Sequence, residues 1–209
     1  MNTDFIDNWK NKNVFEKQLE LNVQELSSNP YPNHWVSYLK ALDLIPSQNK
    51  MILKDIGCGC GAYSKLTWDH EPTIKYVGYD YSEEAITLAK ESWTHGTFEV
   101  KNFENFTEKD FKNGEVMHAC SLHNILPDGD ACMNFLLSLK PCWAIFGKVL
   151  FTGGQSYHTT YKAYGEIITY MFFHNKTNLL NMIESHGYEI QEIDPTRELT
   201  NLLLKRTHV

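Results

Sequence analysis

The stretch Met51-Ile52-Leu53-Lys54-Asp55-Ile56-Gly57-Cys58-Gly59-Cys60-Gly61 decides the fold. An apolar strand runs straight into three glycines spaced two apart. Glycines there remove side chains, so that the backbone can approach a ligand where a parallel strand ends and a helix begins. A second apolar strand, Ile74-Lys75-Tyr76-Val77-Gly78-Tyr79, closes on Asp80. That acid lies about twenty residues past the turn, where a ribose-binding carboxylate belongs. The turn, the strand before it, the helix start after it and the acid together predict a nucleotide-binding site.

Outward from this unit, strands and helical segments alternate. The helix after the turn is expected over Ala62 to Trp68, and Ser82 caps the next helix, with Glu83 and Glu84 in its first turn. Thr97 to Lys101 and Val116 to Cys120 read as the third and fourth strands. Asp128 or Asp130 opens a helix through Met133, Leu136 and Leu137, which Pro141 stops. Lys148 to Thr152, closed by Gly153-Gly154, reads as the fifth strand. Tyr161, Tyr164, Ile168 and Met171 fall at helical spacing and predict a helix packed on the core. A further helix runs from Thr177 to Gly187. The last strands, Tyr188 to Ile193 and Leu199 to Lys205, are joined around Asp194-Pro195-Thr196 by too few residues for a parallel crossover, so they are antiparallel. The expectation is an α/β fold: a doubly wound, mostly parallel seven-stranded sheet with an antiparallel C-terminal hairpin.

Before the sheet, Phe15, Leu19, Val23 and Leu26 repeat at helical spacing, and Trp35, Leu39 and Leu42 follow the break Asn29-Pro30-Tyr31-Pro32. We read one domain over residues 1–209, with leader helices in 1–48 and the sheet core in 49–209. No repeat or linker divides it.

Composition narrows the function. A formal charge of −7 disfavours a partner bound mainly through phosphates, so nucleic acid is not the expected partner. No stretch approaches the ~18 apolar residues that span a bilayer, and the N-terminal residues carry no targeting pattern, so a soluble cytoplasmic protein is expected. Five scattered cysteines make a poor disulfide framework. Neither Cys58-x-Cys60 nor His118-x-Cys120-x-x-His123 has a common zinc spacing, so no metal is expected.

With these residues in view, the chain resembles the class I S-adenosylmethionine-dependent methyltransferases, in particular their small-molecule group, from about Met51 to the C-terminus. Asp55-x-Gly57-x-Gly59-x-Gly61 has the family's form, with an acid two residues before the first glycine. The resemblance implies S-adenosylmethionine as cofactor, held by Asp55, Gly57, Cys58, Gly59, Gly61, Asp80, Tyr81 and Cys120. It also implies that Asn102-Phe103 meet the adenine. Many members have Asp where Asn102 stands; its side-chain oxygen can still accept from an exocyclic amine. Ser121-Leu122-His123-Asn124-Ile125 resembles the family's Leu-His-His-Ile segment beside the methyl donor. Gly57-x-Gly59-x-x-Ala62 also fits the looser dinucleotide fingerprint of dehydrogenases, but Asp55 in the strand, the final hairpin and the short chain count against it.

The resemblance implies a methyltransferase (EC 2.1.1 class) acting on an oxygen or nitrogen of a small-molecule acceptor. The alternatives are a protein or nucleic-acid methyltransferase on this fold, or a non-catalytic binding partner. His123, at the carboxyl edge of the sheet, is the candidate general base, or else packs against the cofactor or caps its turn. His158 is the second candidate. Tyr157, Tyr161 and Trp35 are candidate acceptor contacts, and Tyr31 and His34 join Trp35 in a lid that the leader helices would form.

Overall fold

A computed structural model describes residues 4–46, 51–112, 114–195 and 200–207. Its leader comprises a short α1 (Asp4–Asp7), α2 (Lys12–Leu26) and α3 (Asn33–Leu44). The sheet core follows: β1 (Ile52–Ile56), α4 (Ala62–His70), β2 (Lys75–Asp80), α5 (Glu83–Ser92), β3 (Thr97–Val100), β4 (Glu115–Cys120) and α6 (Gly129–Ser138). Then come β5 (Trp143–Val149), β6 (Phe151–Thr152), β7 (Tyr157–Ala163), β8 (Ile167–Asn175), α7 (Lys176–Ser185), β9 (Tyr188–Pro195) and β10 (Thr200–Arg206).

Seven strands form one sheet in the order β3-β2-β1-β4-β5-β10-β9. The first five are parallel, and β10 runs antiparallel to both β5 and β9. This is the expected doubly wound sheet with its C-terminal antiparallel pair. Part of the connection between β9 and β10, including Thr196 and Leu199, lies outside the described residues.

Central strands buried on both faces send alternate residues into two cores. Leu53, Val116, Ile145 and Leu203 face one core with Trp35, Tyr38 and Leu42 of α3, Leu66 of α4 and Ile86 of α5. Met117, Phe146, Leu202 and Leu204 face the other with Leu136 and Leu137 of α6 and Leu179 and Ile183 of α7. Helix starts follow local chemistry: the Ser82 hydroxyl accepts from Ala85 N, and the Asp128 carboxylate from Ala131 N at 2.9 Å. Among the described residues, no helix is long and apolar enough to cross a membrane.

Two sequence expectations are corrected. The fifth strand is Trp143–Val149, not Lys148 to Thr152. Gly147 and Lys148 split the apolar pattern, which drew the sequence reading to Val149-Leu150-Phe151. A Cβ at Gly147 would stand 2.8 Å from Cys120 Sγ, so glycine lets β5 lie against the end of β4. Lys148, with φ of 60°, is left-handed within the strand, beside the register shift between β5 and β10, and Val149 still pairs with Thr200. Phe151–Thr152 instead pairs with β8 in a separate three-stranded sheet, β6-β8-β7.

The second correction concerns the expected helix through Tyr161, Tyr164, Ile168 and Met171. This segment is the antiparallel hairpin β7-β8. Tyr164 (φ 51°) and Gly165 (φ 71°) are both left-handed, and Glu166 N closes onto Ala163 O at 2.9 Å. Two left-handed central residues make the tight turn that matches strand twist, and the aromatic and β-branched residues around it favour strands.

Candidate functional site

The carboxyl ends of β1, β2 and β4, with the turn leaving β5, open on a cavity of about 300 Å³. Its floor is the glycine turn. Gly57 N and Cys58 N both donate to Tyr79 O, at 2.8 and 2.9 Å, which seats the turn on the end of β2. Gly57 and Gly59 have φ of 78° and 54°, which L side chains rarely adopt. Both line the cavity, with Gln18 close over Gly59 and Leu122 over Gly57.

Asp80 stands beside the turn. Its Oδ2 accepts from Gly59 N at 2.9 Å and its Oδ1 from Ser82 N at 3.0 Å. Each oxygen keeps a second lone pair for a ligand hydroxyl. Burial lifts its pKa to about 6, although the Ser82 and Gly59 amides favour the anion. Asp55 lies deeper: Tyr76 donates its hydroxyl to Oδ2, and His118 Nδ1 sits 2.8 Å from Oδ1. Burial and the neighbouring Asp55 hold the Tyr76 hydroxyl well above its usual pKa, so it stays a donor.

The leader closes the cavity. Gln18 of α2 accepts from Cys60 N at 3.1 Å through Oε1 and donates from Nε2 to the Tyr164 hydroxyl at 3.1 Å. One side chain thus ties the glycine turn to the tip of the β7-β8 hairpin. Trp9 Nε1 donates to Thr169 Oγ1 at 2.8 Å, and Lys17 pairs with Glu166, fastening the leader to the same hairpin.

A second cavity, of about 370 Å³, shares Trp9, Tyr81, Asn102, Phe103, Leu122 and Ile125 with the first. Ile6, Leu126, Pro127 and Phe135 add an apolar wall. The Asn102 side chain is engaged with Glu104, accepting from its amide and donating to its carboxylate, both at 3.2 Å.

Of the residues singled out from sequence, Trp35, Asp55, Gly57, Cys58, Gly59, Asp80, Tyr81, Asn102, Phe103, Cys120 and Tyr161 line the main cavity. Gly61 shapes the turn from behind, where a Cβ would stand 2.5 Å from the Phe98 ring. His34 lines the cavity, whereas Tyr31 packs edge-on against Trp35. Three candidates are not brought to it. His123 is fully buried beneath the β4 end, its Nδ1 3.1 Å from His174 Nε2 and its Nε2 3.3 Å from Gly147 O. Burial and then His174 hold its pKa well below the usual range. His158 lies exposed on β7 with Nδ1 3.0 Å from Pro127 O, and Tyr157 stacks on Phe173.

Sequence reasoning missed Gln18, Asn22, Tyr63 and Lys148, and took Tyr164 as packing; all five line the cavity. Gln18 and Asn22 gave no signal, because they stand on the polar face of an ordinary amphipathic pattern.

A sequence profile of the family described as "Methyltransferase domain" matches residues 47–193, from the segment before β1 into β9. The chain belongs to the class I S-adenosylmethionine-dependent methyltransferases. Similar solved structures share the fold. A Listeria monocytogenes chain assigned as an S-adenosylmethionine dependent methyltransferase has a TM-score of 0.61 and 17% identity, over 84% of this chain and 99% of that one. Human N-acetylserotonin methyltransferase, solved with SAM, gives 0.67 and 16%, over 100% of this chain and 60% of its own. An S-adenosylmethionine dependent methyltransferase from Mesorhizobium loti gives 0.58 and 13%, over 83% and 98%. No curated protein sequence matches the chain. The methyltransferase cofactor is S-adenosylmethionine, and the site suits it: Asp80 offers two acceptor oxygens held by backbone amides, beside the glycine turn that lines the same cavity.

Proposed function

We propose that the chain methylates an oxygen or nitrogen of a small molecule, and that its leader helices act as the lid over this site. The cover over the cavity carries this reading. Gln18, Trp9 and the β7-β8 hairpin lie over the donor cavity, and a partly covered site suits a small acceptor better than a protein or nucleic-acid surface. The charge of −7 points the same way.

When bound, S-adenosylmethionine supplies a methyl group already activated by its sulfonium. What remains for the protein is placement, and positioning alone can supply much of a barrier. In this reading Asp80 accepts from the ribose hydroxyls and the Gly57–Gly59 backbone lies along the amino-acid portion. Tyr81, Asn102, Phe103 and Leu122 frame the adenine where the two cavities meet. Trp35 and Tyr161 face the acceptor. His123 and His158, placed away from the cavity, hold the local structure and take no part in proton transfer.

The test is a calorimetric titration of the purified protein with S-adenosylhomocysteine and, in parallel, with NAD, followed by a screen of small amines, phenols and acids with labelled donor. Micromolar binding of S-adenosylhomocysteine alone and labelling of a small acceptor are the expected results. Labelling only of added protein or nucleic acid would overturn the small-molecule reading.

A further inference from the structure

Lys148, near the end of β5, has φ of 60°, a left-handed conformation that costs a lysine energy. Side chains on both sides hold it there. Its N donates to Asn201 Oδ1 at 2.9 Å, and its carbonyl accepts from Asn124 Nδ2. The side chain is half-buried and lines the main cavity. The ammonium is felt within it: burial drives the His34 imidazole down to about 3 and Lys148 pushes in the same direction, while Lys148 opposes the effect of burial on Cys120. Glu25 on α2 feels its charge as well, without forming an ion pair. The cavity's other lysine, Lys101, is paired with Asp110 at 2.7 Å. Among the described residues, Lys148 has no carboxylate partner.

Asn124, bonded to the Lys148 carbonyl, adds a second observation. Only 7% exposed, it lines the same cavity, and its Oδ1 has no hydrogen-bond partner among the described residues. The amide cannot be flipped, because that would set its oxygen against the Lys148 carbonyl. A buried acceptor without a donor is costly and rare, and an N–H reaching it from the cavity side would satisfy it. Trp35, Tyr63, Tyr161 and Tyr164 supply aromatic walls.

We infer that the acceptor is a small aromatic amino acid of the aminobenzoate type, its carboxylate held by Lys148 and one amino N–H donated to Asn124 Oδ1. This deepens the small-molecule reading and rests on it. Lys148 is an anchor and Asn124 a positioning residue. With one N–H pinned, the nitrogen lone pair is directed at the methyl carbon. The N–C bond forms as the C–S bond breaks, sulfur keeps the bonding pair as a neutral thioether, and the methylated ammonium releases its proton to water. An amine needs no base during attack, which suits a cavity whose one imidazole, His34, is so weakly basic.

The test titrates 2-, 3- and 4-aminobenzoate and the matching aminobenzamides into full-length protein saturated with S-adenosylhomocysteine. At least one acid is expected to bind tenfold or more tighter than its amide. Lys148→Met should abolish that ratio while leaving the affinity for S-adenosylhomocysteine within twofold. Lys148→Gly, which suits the left-handed backbone, should do the same if the methionine variant does not fold. No acid binding better than its amide, or a ratio that survives loss of the lysine, overturns the inference. A large loss of S-adenosylhomocysteine affinity in the Lys148 variants overturns it too, because the lysine would then hold the donor's carboxylate. Wild-type protein that fails to bind S-adenosylhomocysteine at all would instead remove the donor site on which both readings stand.

Discussion

The amide of Gly59 donates to Asp80 Oδ2 at 2.9 Å, joining the turn after β1 to the end of β2. In the proposed cofactor site this bond presets both halves. It orients the carboxylate before any ligand arrives and fixes the glycine that must leave the backbone bare. Asp80→Ala should therefore lose the ribose contacts and this tether together. Charge-assisted bonds are worth on the order of 1.5–3 kcal/mol each, so S-adenosylhomocysteine should bind at least tenfold more weakly. Titration calorimetry on folded variant would show it, and unchanged affinity would remove Asp80 from the site.

Asp80 also predicts a pH dependence for cofactor binding. Its pKa is raised to about 6, chiefly by burial, and only the ionised form accepts two ribose hydroxyls. Affinity should be flat above about pH 7 and fall by about tenfold between pH 7.5 and 5. Asp80→Asn should bind more weakly and lose that dependence. A wild-type affinity that is level across this range would mean Asp80 is not the ribose acceptor.

Folding stability should respond to acid mainly through buried imidazoles. Burial lowers the pKa of His34 to about 3, and His123 and His174 also lie below the ordinary 6.5. The unfolded chain therefore binds protons that the folded chain refuses, so stability is present above about pH 6.5 and drains away as pH falls toward the folded-state values. Asp80 has the opposite sign: its raised pKa favours the fold below 3.8 and the benefit is lost through about 6. Three imidazoles outweigh one carboxyl, so the urea midpoint should drop between pH 7 and pH 5.

Gly61 is held at φ of 78° with the Phe98 ring 2.5 Å from where a Cβ would be. Gly61→Ala combines backbone strain with overpacking in the core and should destabilise by about 1–3 kcal/mol. Denaturant unfolding measures this directly, and a change under half of that would show that Phe98 can move aside.

Gln18→Ala removes the strap between Cys60 and Tyr164. Global stability should fall by about 1–3 kcal/mol, the ordinary net value of the two hydrogen bonds lost. Amide exchange in α2 and the β7-β8 tip should rise far more than exchange in β1 and β4. Equal protection in both regions would show that the leader is held by its packing alone.

The sequence by itself carried the fold class and the candidate glycine turn, though not the bounds of β5 or the second sheet. Met51 to Gly61 and Asp80 were legible because both rest on local rules: a strand must end where glycines begin, and a carboxylate at the end of the next parallel strand is brought beside them by right-handed crossover. Ser82 and Asp128 were legible as helix caps for the same local reason. The hairpin was misread because Tyr161, Tyr164, Ile168 and Met171 satisfy helical spacing in sequence, while the left-handed backbone at Tyr164 and Gly165 can be seen only once the chain is folded. The pairings on the proposed acceptor side came from tertiary structure alone. Gln18 meets Cys60 across 42 residues, and Asn124 meets Lys148 across 24. His123 went the other way, since its place beneath the cavity follows from His174, which lies 51 residues on. Such pairings leave no periodic trace, because they depend on which segments the completed sheet brings to one edge.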